Sequence, residues 1–271
     1  MHTDTPYRPA LFFTLSLLIP WGLWLSVAHL SHQPAYEGSP LLTVLILAGL
    51  FVPCVVSLWL VRQNSHLFAD TMPRFFRLSG FPGRYLWLAI LLPPLSLVAA
   101  QLISLLFGYE ATQFYISGQA SFSSTILNPW VAVSLAAVVE EWAWHSYGTD
   151  ALLARFNLFV TSLIFTAYWA IWHLPLGFIK GYYHSELIAS GWPYTVNFVV
   201  SMIVFVILMN HLYLKSNRSI AIACLFHLSA NVGNEIFATH PDSKIIQTVI
   251  LMVIAVFLVI KERQLFFKKP Q

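Results

Sequence analysis

Six polar side chains suited to hydrolytic chemistry stand inside otherwise apolar stretches: Glu140, Glu141 and His145 in VVEEWAWHS, His173 in WAIWHLP, and His227 with Asn231 in FHLSANVG. A charged group at the centre of a membrane helix costs about 2.5–3.5 kcal/mol on insertion scales. Adjacent carboxylates also repel, so at least one of Glu140 and Glu141 should be protonated or paired. One intramembrane His or Asn is readily explained by a single helix–helix hydrogen bond, worth about 0.6 kcal/mol. A glutamate pair, two further imidazoles and an amide on three separate segments point instead to a shared polar site.

A carboxylate, imidazoles and an amide suit hydrolysis of a peptide bond by activated water. The carboxylate serves as general base, one imidazole holds and polarises the water, and a second imidazole and the amide are neutral donors to a developing oxyanion. Loss of one such donor typically costs about 10²–10³ in rate. No serine or cysteine nucleophile is needed, and no Gly-x-Ser-x-Gly sequence occurs. The alternative is metal-assisted hydrolysis, with Glu140, His173 and His227 as zinc ligands. The chain has no HExxH motif, so such a centre would be assembled across segments.

These groups must be positioned by membrane helices. The chain of 271 residues is 58% hydrophobic and 9% charged, against about 25% charged in a soluble domain. Runs of about 20 apolar residues read as spans, and runs this long exclude strands. Eight candidates occur: Ala10–Leu30, Leu41–Val61, Tyr85–Phe107, Trp130–Ala151, Leu158–Phe178, Tyr194–Leu214, Ser219–Phe237 and Ile245–Ile260. The expected fold is all-α, a polytopic membrane protein forming a single integral-membrane domain over 1–271. Its catalytic cavity should lie between spans four to seven, in a core over about 130–237. Pro93 and Pro94 should kink the third span. Trp142, Trp144, Trp169 and Trp172 read as packing, and Asn210 and His211 lie near a span end, where they can reach the interface. The absence of a basic leader and cleavage site makes the first run a retained span, and KKPQ holds no cysteine to be prenylated. Cys54 and Cys224 read as buried small hydrophobes.

Helical spacing sorts the polar groups. Residues four apart share a face, so Glu141 pairs with His145 and His227 with Asn231, while Glu140 points about 100° from Glu141. One carboxylate can therefore face a cavity and the other a neighbouring helix. From a turn near Arg155, Glu140 lies about 22 Å along its helix and His173 about 27 Å along the next. His227 lies only about 13 Å beyond Arg218, which requires its helix to begin below the bilayer surface or to tilt.

Orientation follows lysine and arginine. With both termini in the cytosol, that side holds Arg8, Arg62, Arg74, Arg77, Arg84, Arg155, Lys215, Arg218, Lys261, Arg263, Lys268 and Lys269, and the other side only Lys180 and Lys244. The segment 64–83 reads as an amphipathic cytosolic stretch, either a solvated loop or a surface helix. There is no basic domain for nucleic acid.

EEWAWH at Glu140–His145, WAIWH at Trp169–His173 and HLSAN at His227–Asn231 resemble the three motifs, EExxxR, FxxxH and HxxxN, of the CAAX protease and bacteriocin-processing (CPBP, Abi) family of intramembrane endopeptidases. That family includes the type II CAAX prenyl endopeptidases, and the likeness covers roughly 130–237. Two positions differ: His145 stands where Arg is usual, and Trp169 where Phe is usual. Arginine stays charged whereas histidine titrates near neutrality, so a His145 that balances Glu141 would make activity depend on pH.

The resemblance implies that Glu140 and His173 activate the water, that His227 and Asn231 form the oxyanion site, and that Glu141 and His145 support them. It implies no cofactor, with zinc as the less favoured alternative. The implied substrate is a prenylated or otherwise lipid-anchored peptide, cut to release the aaX tripeptide of a CAAX tail. Its lipid would lie among membrane lipids, and its peptide would reach a cavity opening on the basic side. The implied location is the cell membrane of a prokaryote, or the endoplasmic reticulum in a eukaryote. Rival functions are a non-enzymatic membrane immunity or scaffold protein and a proton-coupled transporter. Internal repeats, frequent in transporters, are missing.

Overall fold

The computed structural model describes residues 6–117 and 126–268. Lys269 lies outside them. Helices occupy every predicted span: α1 (Pro9–Ser31), α2 (Pro40–Arg62), α4 (Arg84–Leu105), α5 (Pro129–Ala143), α7 (Leu158–His173), α9 (Trp192–Lys215), α10 (Ile220–Ile236) and α11 (Pro241–Lys261). Shorter helices are α3 (Ser65–Thr71), α6 (Thr149–Leu153), α8 (Tyr183–Ala189) and α12 (Arg263–Phe267). Among the described residues, six helical segments are long and apolar enough to cross a membrane: α1, α2, α4, α7 with its 3₁₀ extension to Phe178, α9 and α11. The α10 helix is apolar but has 17 residues. The α5 helix stops at 15 and continues through a π-helical turn, Trp144–Gly148, into α6.

Local sequence sets these boundaries. Proline at the first helical position and a capping side chain start α2 at Ser39, α5 at Asn128 and α11 at His240, because proline lacks only an N–H that the first turn could not use. The α4 helix runs through Pro93 and Pro94. Pro94 cannot donate to Ile90 O, and Ser229 Oγ of α10 donates there instead, at 2.5 Å. Gln247 Nε2 of α11 reaches Pro93 O at 3.2 Å. The prolines thus join α4 to the two helices beside it. Gly233 of α10 packs against Pro94, where even an added Cβ would make only ordinary contact, 3.4 Å from Pro94 Cα.

The outer faces are apolar. On α11, Val249, Val253, Phe257 and Ile260 are all more than half exposed, as expected of a face solvated by acyl chains. The described residues hold no strand longer than an isolated bridge between Ile116 and Phe237.

One end of the bundle gathers the basic residues. There Arg74 Nη1 meets Asp150 Oδ2 at 2.8 Å, and Arg218 Nη2 meets the same oxygen at 2.5 Å. Tyr213 Oη donates to Asp150 Oδ1 at 2.9 Å. Lys215 pairs with Glu262. The segment 64–76 lies across this end as α3 and a 3₁₀ helix, with Leu67, Arg74 and Phe75 buried. Its helix Ser65–Thr71 buries Leu67 and Thr71 and leaves His66, Phe68, Ala69 and Asp70 exposed, so it is not a simple solvated loop. It covers the start of α10, where Ile220 is fully buried and Ser219 Oγ donates to Arg77 O at 2.5 Å. This explains the short interval from Arg218 to His227: α10 begins beneath a layer of protein. The opposite end carries Lys180 and Lys244, with Tyr109 and Tyr194 both donating to Asp242.

Candidate active site

Glu140 and Glu141 leave α5 in different directions and have different partners. Glu140 is 8% exposed, and its Oε2 accepts from Trp169 Nε1 of α7 at 2.9 Å and from Trp144 Nε1 at 3.4 Å. Two tryptophans expected only to pack are therefore donors to this carboxylate. Glu141 is fully buried between two imidazoles. Its Oε2 lies 2.5 Å from His145 Nδ1, and its Oε1 lies 2.7 Å from His227 Nδ1 of α10. The π turn that begins at Trp144 carries His145, and such bulges recur at functional sites.

A chain of hydrogen bonds fixes the protons on His145. Ser162 Oγ donates to Leu158 O at 2.9 Å, so it accepts from Asn210 Nδ2, also at 2.9 Å. Asn210 Oδ1 then faces His145 Nε2 at 3.0 Å and must accept from it. With a proton on Nε2 and a carboxylate oxygen at Nδ1, the Glu141–His145 contact also holds a proton, as in a carboxylate–imidazolium pair. Asn210 and His211, read as able to reach the interface, are both buried within the protein, and His211 Nε2 lies 3.2 Å from Glu262.

His173 closes α7 with Nδ1 at 2.7 Å from Trp169 O. A carbonyl only accepts, so Nδ1 carries the proton and Nε2 presents a lone pair. His227 gives its Nδ1 proton to Glu141 in the same way.

Glu140, His173, His227 and Asn231 line one cavity of about 260 Å³. Its wall is wider than expected from spans four to seven, since Pro93 of α4 and Lys244, Gln247 and Leu251 of α11 also contribute. Its lining also includes Tyr183, Tyr194, Pro241 and Lys244. These residues follow the end of α7 or begin α9 and α11, so the cavity extends toward the end that is poor in lysine and arginine. The lining thus reaches away from the basic end, where a mouth was expected and where an ion-paired layer lies over Asp150. Among the described residues, no three His, Cys, Asp or Glu side chains are grouped to hold a metal ion. This includes Glu140, His173 and His227. Cys54 and Cys224 are buried and free.

A family model for type II CAAX prenyl endopeptidases of the Rce1-like kind matches residues 122–233, the stretch that holds all six polar residues. The CAAX prenyl protease 2 of Methanococcus maripaludis is 32% identical over 271 residues, 99% of each chain. The chain belongs to the Rce1-like family of CAAX prenyl endopeptidases. It is a peptidase and an integral membrane protein, with six apolar helices able to cross a bilayer.

Residues around this Rce1-like site differ in how visible they were in the sequence. Ser162 belongs to no motif and was not singled out, whereas Asn210 was noticed as a polar residue near a span end. His184, on the short α8, lines the same cavity. It follows a loop and is not within any predicted span. The spacing Glu140–Trp144 and Trp169–His173, each four residues, was the available clue that these two indoles share faces with site residues.

Proposed function

We propose that this protein is an intramembrane endopeptidase that cleaves its peptide with water activated by Glu140. One observation carries the proposal: a carboxylate from α5, an imidazole from α7, and an imidazole and an amide from α10 line a single cavity. The lone pair on His173 Nε2 accepts a hydrogen bond from the water and orients it. Glu140 takes a proton as the water oxygen attacks the peptide carbonyl carbon. The oxyanion forms beside His227 and Asn231. The proton then passes from Glu140 to the departing nitrogen as the C–N bond breaks. Since His227 Nδ1 already donates to Glu141, its Nε2 can donate only from the protonated ring. In this reading His227 faces the oxyanion as a donor through Nε2 while Glu141 accepts from its Nδ1. His145 holds the other oxygen of Glu141 and so fixes its orientation. No metal takes part.

The substrate is a lipid-anchored peptide, with the tail of a prenylated CAAX protein as the first candidate. The name of the Methanococcus relative and the family description support this choice. The six apolar helices, with the α5–α6 segment and α10, form an eight-span single domain whose catalytic core is 130–237.

The test is cleavage of a farnesylated CAAX peptide by purified protein. Glu140→Ala and Glu140→Gln should abolish product, and full activity in either would overturn the mechanism. An inactive wild-type protein whose biological phenotype survives Glu140→Gln would favour a scaffold instead.

A further inference from the structure

The cavity holds one imidazole that the mechanism does not use. His184 is 9% exposed, and neither Nδ1 nor Nε2 has a hydrogen-bond partner. Every other histidine of the site is bonded: His145 to Glu141 and Asn210, His173 to Trp169 O, and His227 to Glu141. Buried polar groups are rarely left unpaired, and a neutral imidazole brings one donor and one acceptor. For packing alone a phenyl ring would fill this place without the loss.

The ring is also held in one orientation. It stacks on His173 with centroids 5.1 Å apart and planes 26° from parallel, and on Tyr182 at 5.8 Å and 13°. Phe198 meets it edge-on at 5.2 Å and 90°, and Tyr183 at 5.2 Å and 86°. His184 lines the same cavity as Glu140, His173 and His227. A rigid donor–acceptor pair beside the reacting groups matches what an extended peptide offers along its edge, a carbonyl and an N–H. Such pre-orientation lowers the cost of binding.

We infer that His184 binds the substrate: its two ring nitrogens take their hydrogen bonds from the backbone of the peptide lying in the cavity. The inference rests on the proposed function, because it places the peptide beside Glu140.

The experiment uses the full-length protein in detergent and a farnesylated CAAX peptide. His184→Phe fills the cage but has no nitrogen. It should melt at or above the wild-type temperature, yet lose about tenfold or more in kcat/KM, the equivalent of one hydrogen bond, mostly through KM. His184→Gln, which keeps a donor and an acceptor, should recover part of the loss. In a Glu140→Gln background, where there is no turnover, His184→Phe should weaken peptide binding by a similar factor. Wild-type kcat/KM and binding in the Phe variant would overturn the inference while leaving an inactive Glu140→Gln protein, and hence the proposed mechanism, untouched. Activity surviving in Glu140→Gln would strike the mechanism, and the Phe comparison would still decide the part played by His184. If the Phe variant does not fold, the same two measurements on His184→Gln and His184→Ala decide it, with equal activity in both as the overturning result.

Discussion

His145 Nδ1 stands 2.5 Å from Glu141 Oε2, with both side chains fully buried. The contact places an imidazole where the family motif has an arginine, and Asn210 requires that imidazole to donate through Nε2 as well. An imidazole can meet both demands only while it, or the contact it shares, keeps its proton.

The first prediction concerns this pair. His145→Arg restores a cation that cannot lose its proton. The Arg variant should keep Glu141 paired and retain cleavage of the farnesylated peptide. His145→Leu leaves a buried carboxylate short of a partner, a change that costs about 3–5 kcal/mol when a buried pair is broken. It should therefore melt markedly lower and be inactive. A folded but inactive His145→Arg protein would show that the site needs an imidazole at 145, and that a cation beside Glu141 is not enough.

Asn210 supplies the second. Asn210→Leu removes the acceptor for His145 Nε2 and the donor to Ser162 Oγ in one step. A buried polar group left unpaired costs about 1–3 kcal/mol, so thermal stability should fall by that amount. Activity should fall further than the stability loss explains, because Glu141 is then oriented through a less constrained imidazole. A double-mutant cycle with His145→Arg isolates the coupling: a cycle that closes additively would place Asn210 outside the Glu141–His145 unit.

These two residues also show how far the sequence was legible. Glu140, Glu141, His173, His227 and Asn231 stood out because each breaks an apolar run, and the three motif spacings placed them on helix faces that do meet. Helix existence was legible at all eight predicted spans, because long apolar runs have few alternatives in lipid. Asn210 was visible but misplaced: its position near the end of Tyr194–Leu214 suggested the interface, whereas the layer of residues 64–76 and the Arg74–Asp150–Arg218 cluster thicken the protein at that end and bury it. The roles of Trp144 and Trp169 were hidden because an indole that donates a hydrogen bond and one that only packs look identical in sequence. The depth of His227 depended on where α10 begins, which is set by a tertiary contact, Ser219 to Arg77 O, and by no local signal.

The third prediction tests the buried ion cluster. Asp150 is 4% exposed and accepts from Arg74, Arg218 and Tyr213. Tyr213 Oη also lies 3.0 Å from His145 O, so its one proton can turn to either acceptor and the cluster abuts the π turn. Asp150→Leu removes the buried partner of two guanidinium groups and leaves them only the half-exposed Asp70, so it should lower stability by up to about 3–5 kcal/mol. Because Arg74 and Asp150 are buried, much of the difference from wild type should persist at high salt, unlike that of a surface pair. A loss of melting temperature that vanishes in molar salt would mean that the cluster is solvated.

Metal dependence gives the fourth. The proposed chemistry needs a carboxylate, an oriented water and two oxyanion donors, so exhaustive chelation should leave cleavage of the farnesylated peptide unchanged. Activity lost with chelator and regained with zinc would replace the Glu140 base by a centre built from Glu140, His173 and His227.

The fifth prediction decides which compartment the cavity serves. The lysine–arginine bias places the termini and the Asp150 end in the cytosol, which sets Lys244 and Tyr194, in the cavity lining, at the opposite face. Single cysteines at Lys244 and Arg263, in a background where Cys54 and Cys224 are serine, can be labelled in intact cells with an impermeant thiol reagent. The charge bias predicts that Lys244→Cys reacts from outside and that Arg263→Cys reacts only after lysis. In that arrangement the cavity receives lipid-anchored peptides from the external face, and a cytosolic CAAX tail would have to approach through the bilayer side of the cavity. The reverse pattern would overturn the charge-based orientation and open the mouth directly to prenylated tails in the cytosol. The same pair of cysteines therefore decides the orientation and, with it, the face from which a peptide reaches the cavity.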